Sequence, residues 1–199
     1  VIVREVNGDV LEAGMKRITG SLDRADAKGK LSGEDRDAAM ARIIGTTEFS
    51  AFADCDLVVE AVVENLDLKR KIFAELDACT PPHAILASNT SALAVTEMAA
   101  ATRRPEKVLG LHFMQPVPVM PLLEMVRTFM TGDEAFDKAK AFGESLGKTI
   151  VVSKLPASTT SIAGVRWNSA WCTTCHSPSP SRRSTGRVPG SSCGGCSPS

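Results

Sequence analysis

Short apolar runs alternate with segments of helical periodicity along the first 154 residues of this 199-residue chain. The run 57–63 is apolar and rich in valine apart from Glu60, which is typical of a strand buried on both faces. Comparable runs lie at 84–87, 107–113 and 149–152. Because parallel strands are joined by crossover helices, this alternation predicts an α/β fold with a doubly wound, mostly parallel sheet.

Local signals mark the ends of two helices near the start of the chain. Asp9 is predicted to cap a helix that extends to about Lys28, and Gly29 is predicted to end it in a left-handed conformation. Ser32 and Asp35 have the spacing of a capping box. These signals predict two consecutive helices after the first strand.

The composition changes abruptly after Lys154. Residues 1–154 contain all 23 acidic residues and have a net charge of −4, whereas residues 155–199 contain four arginines and no acid. The second segment is rich in Ser, Pro, Gly and Cys, without periodicity, and it lacks the apolar surface that would offset the entropy of ordering. We therefore predict a folded domain over 1–154 and an irregular or disordered tail over 155–199.

Charge and hydropathy exclude several classes of protein. The net charge of zero gives no indication of nucleic acid as a partner. No apolar run approaches the roughly 18 residues needed to cross a bilayer, and no signal peptide opens the chain. Outside the tail the cysteines are only Cys55 and Cys79, which fits a reducing compartment. We expect a cytoplasmic protein without nucleic-acid or membrane partners.

Polar residues capable of acid–base chemistry follow two of the predicted strands. Ser88-Asn89-Thr90-Ser91 follows the strand 84–87, and His112 lies near the end of the strand 107–113. A proline-rich loop then turns the chain so that Glu124 could return beside His112. An imidazole with a carboxylate partner is a general base suited to neutral pH. The alternatives are a structural histidine and, for Ser91, a helix N-cap.

Three segments carry a family resemblance: Ala87-Ser88-Asn89-Thr90-Ser91, Leu109-Gly110-Leu111-His112-Phe113 and Pro116-Val117-Pro118-Val119-Met120. They resemble the 3-hydroxyacyl-CoA dehydrogenase family, in particular its 3-hydroxybutyryl-CoA type, and the similarity extends from residue 1 to about 154. It implies an NAD-dependent oxidoreductase that oxidises (S)-3-hydroxyacyl-CoA to 3-oxoacyl-CoA, or catalyses the reverse reduction. It also implies a Rossmann-type NAD-binding domain over 1–154.

The resemblance implies roles for individual residues. His112 would be the general base, Glu124 would orient it, and Ser91 would hold the 3-oxygen of the substrate. Glu5 would bind the adenosine ribose, although a surface carboxylate is the simpler interpretation of this residue by itself. The resemblance further assigns the nicotinamide side to Ala61, Glu64, Lys69 and Asn89, and the CoA part of the acyl-CoA substrate to Ser21 and Lys28. It implies no metal ligand.

The chain departs from the family pattern at both ends. The Gly-x-Gly-x-x-Gly turn of a dinucleotide-binding unit belongs about 20 residues before Glu5, but the chain begins at Val1. The family's Pro-Gly-Phe-x-x-Asn-Arg segment and dimer-forming helical domain are replaced by the tail from residue 155. We expect an N-terminally truncated chain with a reading-frame error near residue 155, weak NAD binding, and no activity in this form.

The tail supports an alternative function. Cys172 and Cys175 form one Cys-x-x-Cys pair, and Cys193 and Cys196 form a second pair at the spacing of a zinc ribbon. His176 also completes a haem-attachment pattern, but no export signal accompanies it. The alternative is a non-enzymatic module in which a zinc-binding tail with four cysteine ligands follows a degenerate nucleotide fold.

Overall fold

A computed structural model describes residues 1–90 and 95–154 of the chain. Seven strands and five helices alternate in this part, with short 3₁₀ turns at Phe49–Phe52 and Pro105–Lys107. In chain order the elements are β1 (Ile2–Arg4), α1 (Gly8–Ala27), α2 (Gly33–Ala41), β2 (Ile44–Thr46), β3 (Leu57–Glu60), α3 (Leu66–Cys79), β4 (Ile85–Ser88), α4 (Val95–Ala99), β5 (Val108–Phe113), β6 (Leu122–Arg127), α5 (Asp133–Ser145) and β7 (Thr149–Lys154).

The strands form a five-stranded sheet in the order β3-β4-β5-β6-β7 and a separate parallel pair of β1 with β2. Strands β3, β4 and β5 are mutually parallel, β6 runs antiparallel to β5, and β7 is parallel to β6. The predicted α/β class with a mostly parallel, doubly wound sheet is confirmed. Strand β2 was not predicted, because three residues that include a glycine give almost no periodic signal.

Helices cover both faces of the five-stranded sheet. Alternate strand residues point to opposite faces, so Leu86 packs in the cluster with α3 and α4, whereas Ala87 packs in the cluster with α5. The first cluster comprises Phe52, Val58, Phe73, Leu76, Leu86, Val95, Met98, Ala99 and Val108. The second comprises Ile85, Ala87, Leu109, Leu111, Leu123, Met125, Ala135, Phe136 and Ala139. We call the face that carries the first cluster the α3/α4 face.

The helix ends follow the predicted signals with one exception. Gly29 has a φ of 63°, and the Ser32 hydroxyl accepts from the Asp35 N–H, as predicted. The Asp35 carboxylate accepts from the Ser32 hydroxyl, whereas in a capping box it would accept from the Ser32 N–H. The prediction for Asp9 was wrong, because the side chain of Asn7 accepts the Val10 N–H at 2.9 Å and caps α1. Asp9 lies inside the first turn, where its charge still complements the helix dipole.

No helix among residues 1–90 and 95–154 is both long and apolar enough to cross a membrane. The predicted tail, 155–199, lies outside the described residues.

Gly110 allows β5 to approach β6 and α4 closely. A Cβ at this position would lie 2.8 Å from the Val126 Cβ and 3.3 Å from a Val95 methyl carbon. We expect Gly110→Ala to lower the free energy of unfolding by about 1–3 kcal/mol, because the strand backbones cannot yield without disturbing their register. Gly14→Ala is the control, because a Cβ there meets nothing within 4 Å and should stabilise α1 by about 0.5–1 kcal/mol. Urea denaturation measures both, and equal effects would contradict this account.

Candidate active site

The α3/α4 face is apolar where β3, β4 and β5 begin and polar where they end. Cross-strand partners lie on the same face of a sheet, and the pairs Glu60–Ser88, Ser88–Gly110 and His112–Glu124 are cross-strand partners. Two pairs of polar side chains, Glu60–Ser88 and His112–Glu124, therefore lie on this face near the carboxyl ends of the parallel strands, and Gly110 lies between the two pairs. In open α/β sheets that edge is where ligands bind.

His112 and Glu124 meet on this face because β5 and β6 are antiparallel and pair these two residues directly. Their Nδ1 and Oε2 atoms are 3.1 Å apart, and 21% and 31% of the two side chains are exposed. An ionised carboxylate only accepts hydrogen bonds. The neutral ring therefore donates from Nδ1, and Nε2 keeps the lone pair that can accept a proton.

Glu124 is held by a second donor. The Ser153 hydroxyl on β7 donates to the Glu124 Oε1 at 2.6 Å. This hydrogen bond, together with one from His112, holds the pKa of Glu124 below its ordinary value, although partial burial acts in the opposite direction. Ser153 was not predicted as a site residue, since its relation to Glu124 depends on the pairing of β6 with β7.

A buried ion pair lies at the carboxyl ends of β3 and β4. Lys69 on α3 donates to both carboxylate oxygens of Glu60, at 2.8 and 3.0 Å, and each side chain is 1% exposed. The Ser88 hydroxyl and the Val62 N–H also donate to Glu60. This buried network fixes the ends of both strands and the start of the segment that follows β3.

The residues predicted on the nicotinamide side surround this network. The Lys69 ammonium lies 3.6 Å from a Glu64 carboxylate oxygen, and the Thr90 hydroxyl donates to the same carboxylate at 2.9 Å. Asn89 accepts the Phe113 N–H at 2.7 Å and thereby joins β4 to the end of β5. Ala61 is exposed just after β3. The Lys69 side chain is buried and does not reach solvent, and its ammonium group lies between the carboxylates of Glu60 and Glu64.

The remaining predicted residues lie elsewhere. Glu5 directly follows β1, and its N–H donates to the Thr46 carbonyl. Ser21 is exposed on α1, and Lys28 is exposed at the end of that helix. Within the described part of the chain, no hydrogen bond or ion pair connects these three residues to the His112–Glu124 pair. Ser91 lies outside the described residues.

The predicted zinc ligands Cys172, Cys175, Cys193 and Cys196 also lie outside the described residues, as does His176. Among residues 1–90 and 95–154, no group of three or more His, Cys, Asp or Glu side chains could hold a metal ion. Cys55 and Cys79 are free thiols, and burial is the largest cause that raises the pKa of each.

Known proteins share this arrangement of strands. Residues 1–155 match the domain described as 3-hydroxyacyl-CoA dehydrogenase, NAD binding domain. The 3-hydroxybutyryl-CoA dehydrogenase of Bradyrhizobium diazoefficiens is 44% identical over 154 residues, which are 77% of this chain and 53% of that protein. The crystal structure of FadB2 from Mycobacterium tuberculosis superposes with a TM-score of 0.76 at 44% identity, over 77% of this chain and 55% of that one. The (S)-3-hydroxybutyryl-CoA dehydrogenase PaaH1 from Ralstonia eutropha gives a TM-score of 0.75 at 37% identity, over 77% and 54%.

The chain belongs to the 3-hydroxyacyl-CoA dehydrogenase family, a family of NAD-dependent oxidoreductases. Its similarity covers the domain of that family that binds NAD, as the sequence resemblance predicted. The chain spans about half the length of the relatives that it matches. The roles of the individual site residues stay predictions.

The buried ion pair can be tested by removing its cation. We expect Lys69→Met to lower the free energy of unfolding by about 3–5 kcal/mol, because Glu60 would keep a buried charge without its partner. Lys71→Met on the same helix is the control, since Lys71 is exposed and should change stability by less than about 0.5 kcal/mol. Urea denaturation measures both, and similar values for the two variants would contradict the assignment.

The depressed pKa of Glu124 predicts a pH dependence of stability. The carboxyl group has a lower pKa in the folded than in the unfolded chain, so its stabilising contribution is complete above the ordinary value of 4.5 and is lost as the pH falls through the folded pKa. We expect Glu124→Gln to be less stable than the parent chain at pH 6, with a difference that shrinks as the pH is lowered below 4.5. Denaturant titrations at a series of pH values measure this, and a constant difference would contradict it.

Proposed function

We propose that the protein is an NAD-dependent (S)-3-hydroxyacyl-CoA dehydrogenase that oxidises the 3-hydroxyl group to a ketone, or catalyses the reverse reduction. The observation that supports this most directly is the 3.1 Å contact between His112 Nδ1 and Glu124 Oε2 at the ligand-binding edge of the sheet. The names of the relatives support the substrate class, since one is a 3-hydroxybutyryl-CoA dehydrogenase and another is specified as the (S) enzyme.

We propose that His112 is the general base, and its contact with Glu124 supports this role. With its Nδ1 proton directed to Glu124, the ring can accept the 3-hydroxyl proton at Nε2. The ring then becomes an imidazolium, and the adjacent carboxylate stabilises its charge. In the reduction the imidazolium returns that proton to the oxygen at C3. The same pair therefore serves both directions.

The polar ends of β3 and β4 suit a dinucleotide. They lie at the carboxyl edge of parallel strands, where this class of fold binds such ligands. When bound, NAD would supply the acceptor for the hydride that leaves C3. We propose that Glu64 and Asn89, next to Ala61, bind the nicotinamide side of NAD. The buried ammonium group of Lys69, 3.6 Å from a Glu64 carboxylate oxygen, would hold Glu64 in place. Glu5 would bind the adenosine ribose.

The acyl-CoA substrate would contact three further residues. We propose that Ser91 holds the 3-oxygen near His112, and that Ser21 and Lys28 contact the CoA part. The exposed side chains of Ser21 and Lys28 on α1 and at its end are consistent with such contacts. We also propose a cytoplasmic location, which fits the free thiols of Cys55 and Cys79. For intact members of the family we propose homodimers that form through their helical domain.

The proposed base can be tested by substitution. In a form of the protein extended to carry the glycine-rich turn and the helical domain of the family, we expect His112→Gln to lower the rate of acetoacetyl-CoA reduction by about 10²–10⁴-fold, because proton transfer loses its donor. Oxidation of NADH, followed by its absorbance, measures the rate, and circular dichroism verifies that the variant is folded.

His83→Gln is the matched control for this experiment. His83 also contacts a carboxylate, that of Asp56 at 3.0 Å, but it is exposed and lies away from the polar ends of the strands. It should keep the parental rate. Equal rates in the parent and the folded His112 variant would reject the assigned base, and NADH binding without any turnover of a 3-oxoacyl-CoA would reject the proposed reaction.

A further inference from the structure

Ser153 contacts the candidate base pair from the strand on the other side of Glu124. Strand β7 pairs with β6 so that Val151 is opposite Glu124 and Ser153 is opposite Val126. Residues 151 and 153 therefore lie on the α3/α4 face, together with Glu124 and His112. From this diagonal position the Ser153 hydroxyl reaches the Glu124 Oε1 at 2.6 Å.

Glu124 is thereby held from two neighbouring strands. One carboxylate oxygen accepts from Ser153 on β7, and the other faces the His112 ring on β5 at 3.1 Å. Within residues 1–90 and 95–153, these are the two side chains that bind this carboxylate, and His112 is the single titratable group among its partners there. A carboxylate with only one partner could rotate about its last side-chain bonds, whereas one with a donor on each oxygen has a defined plane.

We propose that Ser153 is a positioning residue that completes a Ser153–Glu124–His112 relay across three strands. By occupying Oε1, its hydroxyl directs Oε2 towards His112 Nδ1 and so selects the ring tautomer whose Nε2 is free. This inference deepens the proposed function and rests on it, because a selected tautomer matters for catalysis only if Nε2 is the base. Ser153 itself touches neither substrate nor cofactor.

Three observations support a role beyond the folding of β7. The 2.6 Å contact is short, as expected for a hydroxyl that donates to an ionised acceptor. The same hydrogen bond is also the largest cause of the lowered pKa of Glu124, which keeps this group ionised and able to accept from the ring. The neighbouring Val151 and Val152 are each nearly half exposed, so this part of β7 is not a tightly packed core segment.

The experiment compares Ser153→Thr with Ser153→Val in the complete 199-residue chain. The two side chains have nearly the same shape and both suit a strand, but only threonine keeps the hydroxyl. Ser145→Ala is the control for loss of a hydroxyl elsewhere, since Ser145 donates to the Phe142 carbonyl on an exposed helix end. Thermal unfolding verifies that all the variants are folded.

Nitrogen-15 NMR of the histidine rings reports the tautomer of His112 without any substrate, and carbon-13 NMR of the glutamate carboxyl groups reports the titration of Glu124. We expect Ser153→Val to lower the Nδ1–H fraction of neutral His112 and to raise the pKa of Glu124. Ser153→Thr and Ser145→Ala should match the parent chain. Spectra of Ser153→Val that match the parent in both respects would overturn the proposal.

Kinetic measurements separate this inference from the proposed function. In the extended, active form of the protein, we expect Ser153→Val to lower kcat about 10-fold, the equivalent of one ordinary hydrogen bond, with an unchanged KM for NADH. If Ser153→Val changes the tautomer of His112 but His112→Gln keeps normal turnover, the proposed reaction is rejected and the relay among Ser153, Glu124 and His112 still holds. A normal tautomer in Ser153→Val together with an inactive His112→Gln would reject the relay alone.

Discussion

The antiparallel pairing of β5 with β6 is the constraint on which the candidate site depends. It places Glu124 directly opposite His112, although the two residues are twelve positions apart along the chain and a proline-rich loop lies between them. A register shift of one residue would move Glu124 to the α5 face and leave His112 without its carboxylate. Gly110 is part of the same constraint, because a Cβ at this position would lie only 2.8 Å from the Cβ of Val126, its partner on β6. Core packing and site chemistry are therefore specified by the same contacts.

A second constraint is the burial of charge at the ends of β3 and β4. Glu60 and Lys69 are almost completely enclosed, and the carboxylate also receives the Ser88 hydroxyl and a backbone N–H. Such a pair contributes little net stability compared with apolar residues, but it fixes geometry because each partner requires the other. It also holds the buried ammonium group of Lys69 next to the exposed carboxylate of Glu64, at the carboxyl ends of the parallel strands. Lys69 therefore connects a buried carboxylate, that of Glu60, with an exposed one, that of Glu64, on the side where we propose that the cofactor binds.

Much of this architecture could be predicted from the sequence. The β-branched run at 57–63 predicted β3, although the strand ends at Glu60, where the carboxylate turns inward to Lys69. The helix stop at Gly29 and the cap at Ser32 were predicted because each depends on one or two neighbouring residues. The cap of α1 was assigned to Asp9 instead of Asn7, since two possible caps stood two residues apart and only the backbone conformation of Asn7 distinguishes them. His112 and Glu124 were singled out by residue type and family pattern, whereas Ser153 had no signal of its own.

The sequence by itself determined most of the segments that become strands and helices, because hydrophobic periodicity and caps act over a few residues; the short strand β2 was the exception. It also determined the family, since the segments around Ser88, His112 and Glu124 resemble a known pattern that the comparisons bear out. Only the tertiary structure decided that β6 reverses direction, that Lys69 is enclosed with Glu60, and that Ser153 reaches Glu124. The reason is that strand order, direction and register are set by long-range packing between residues that are distant along the chain.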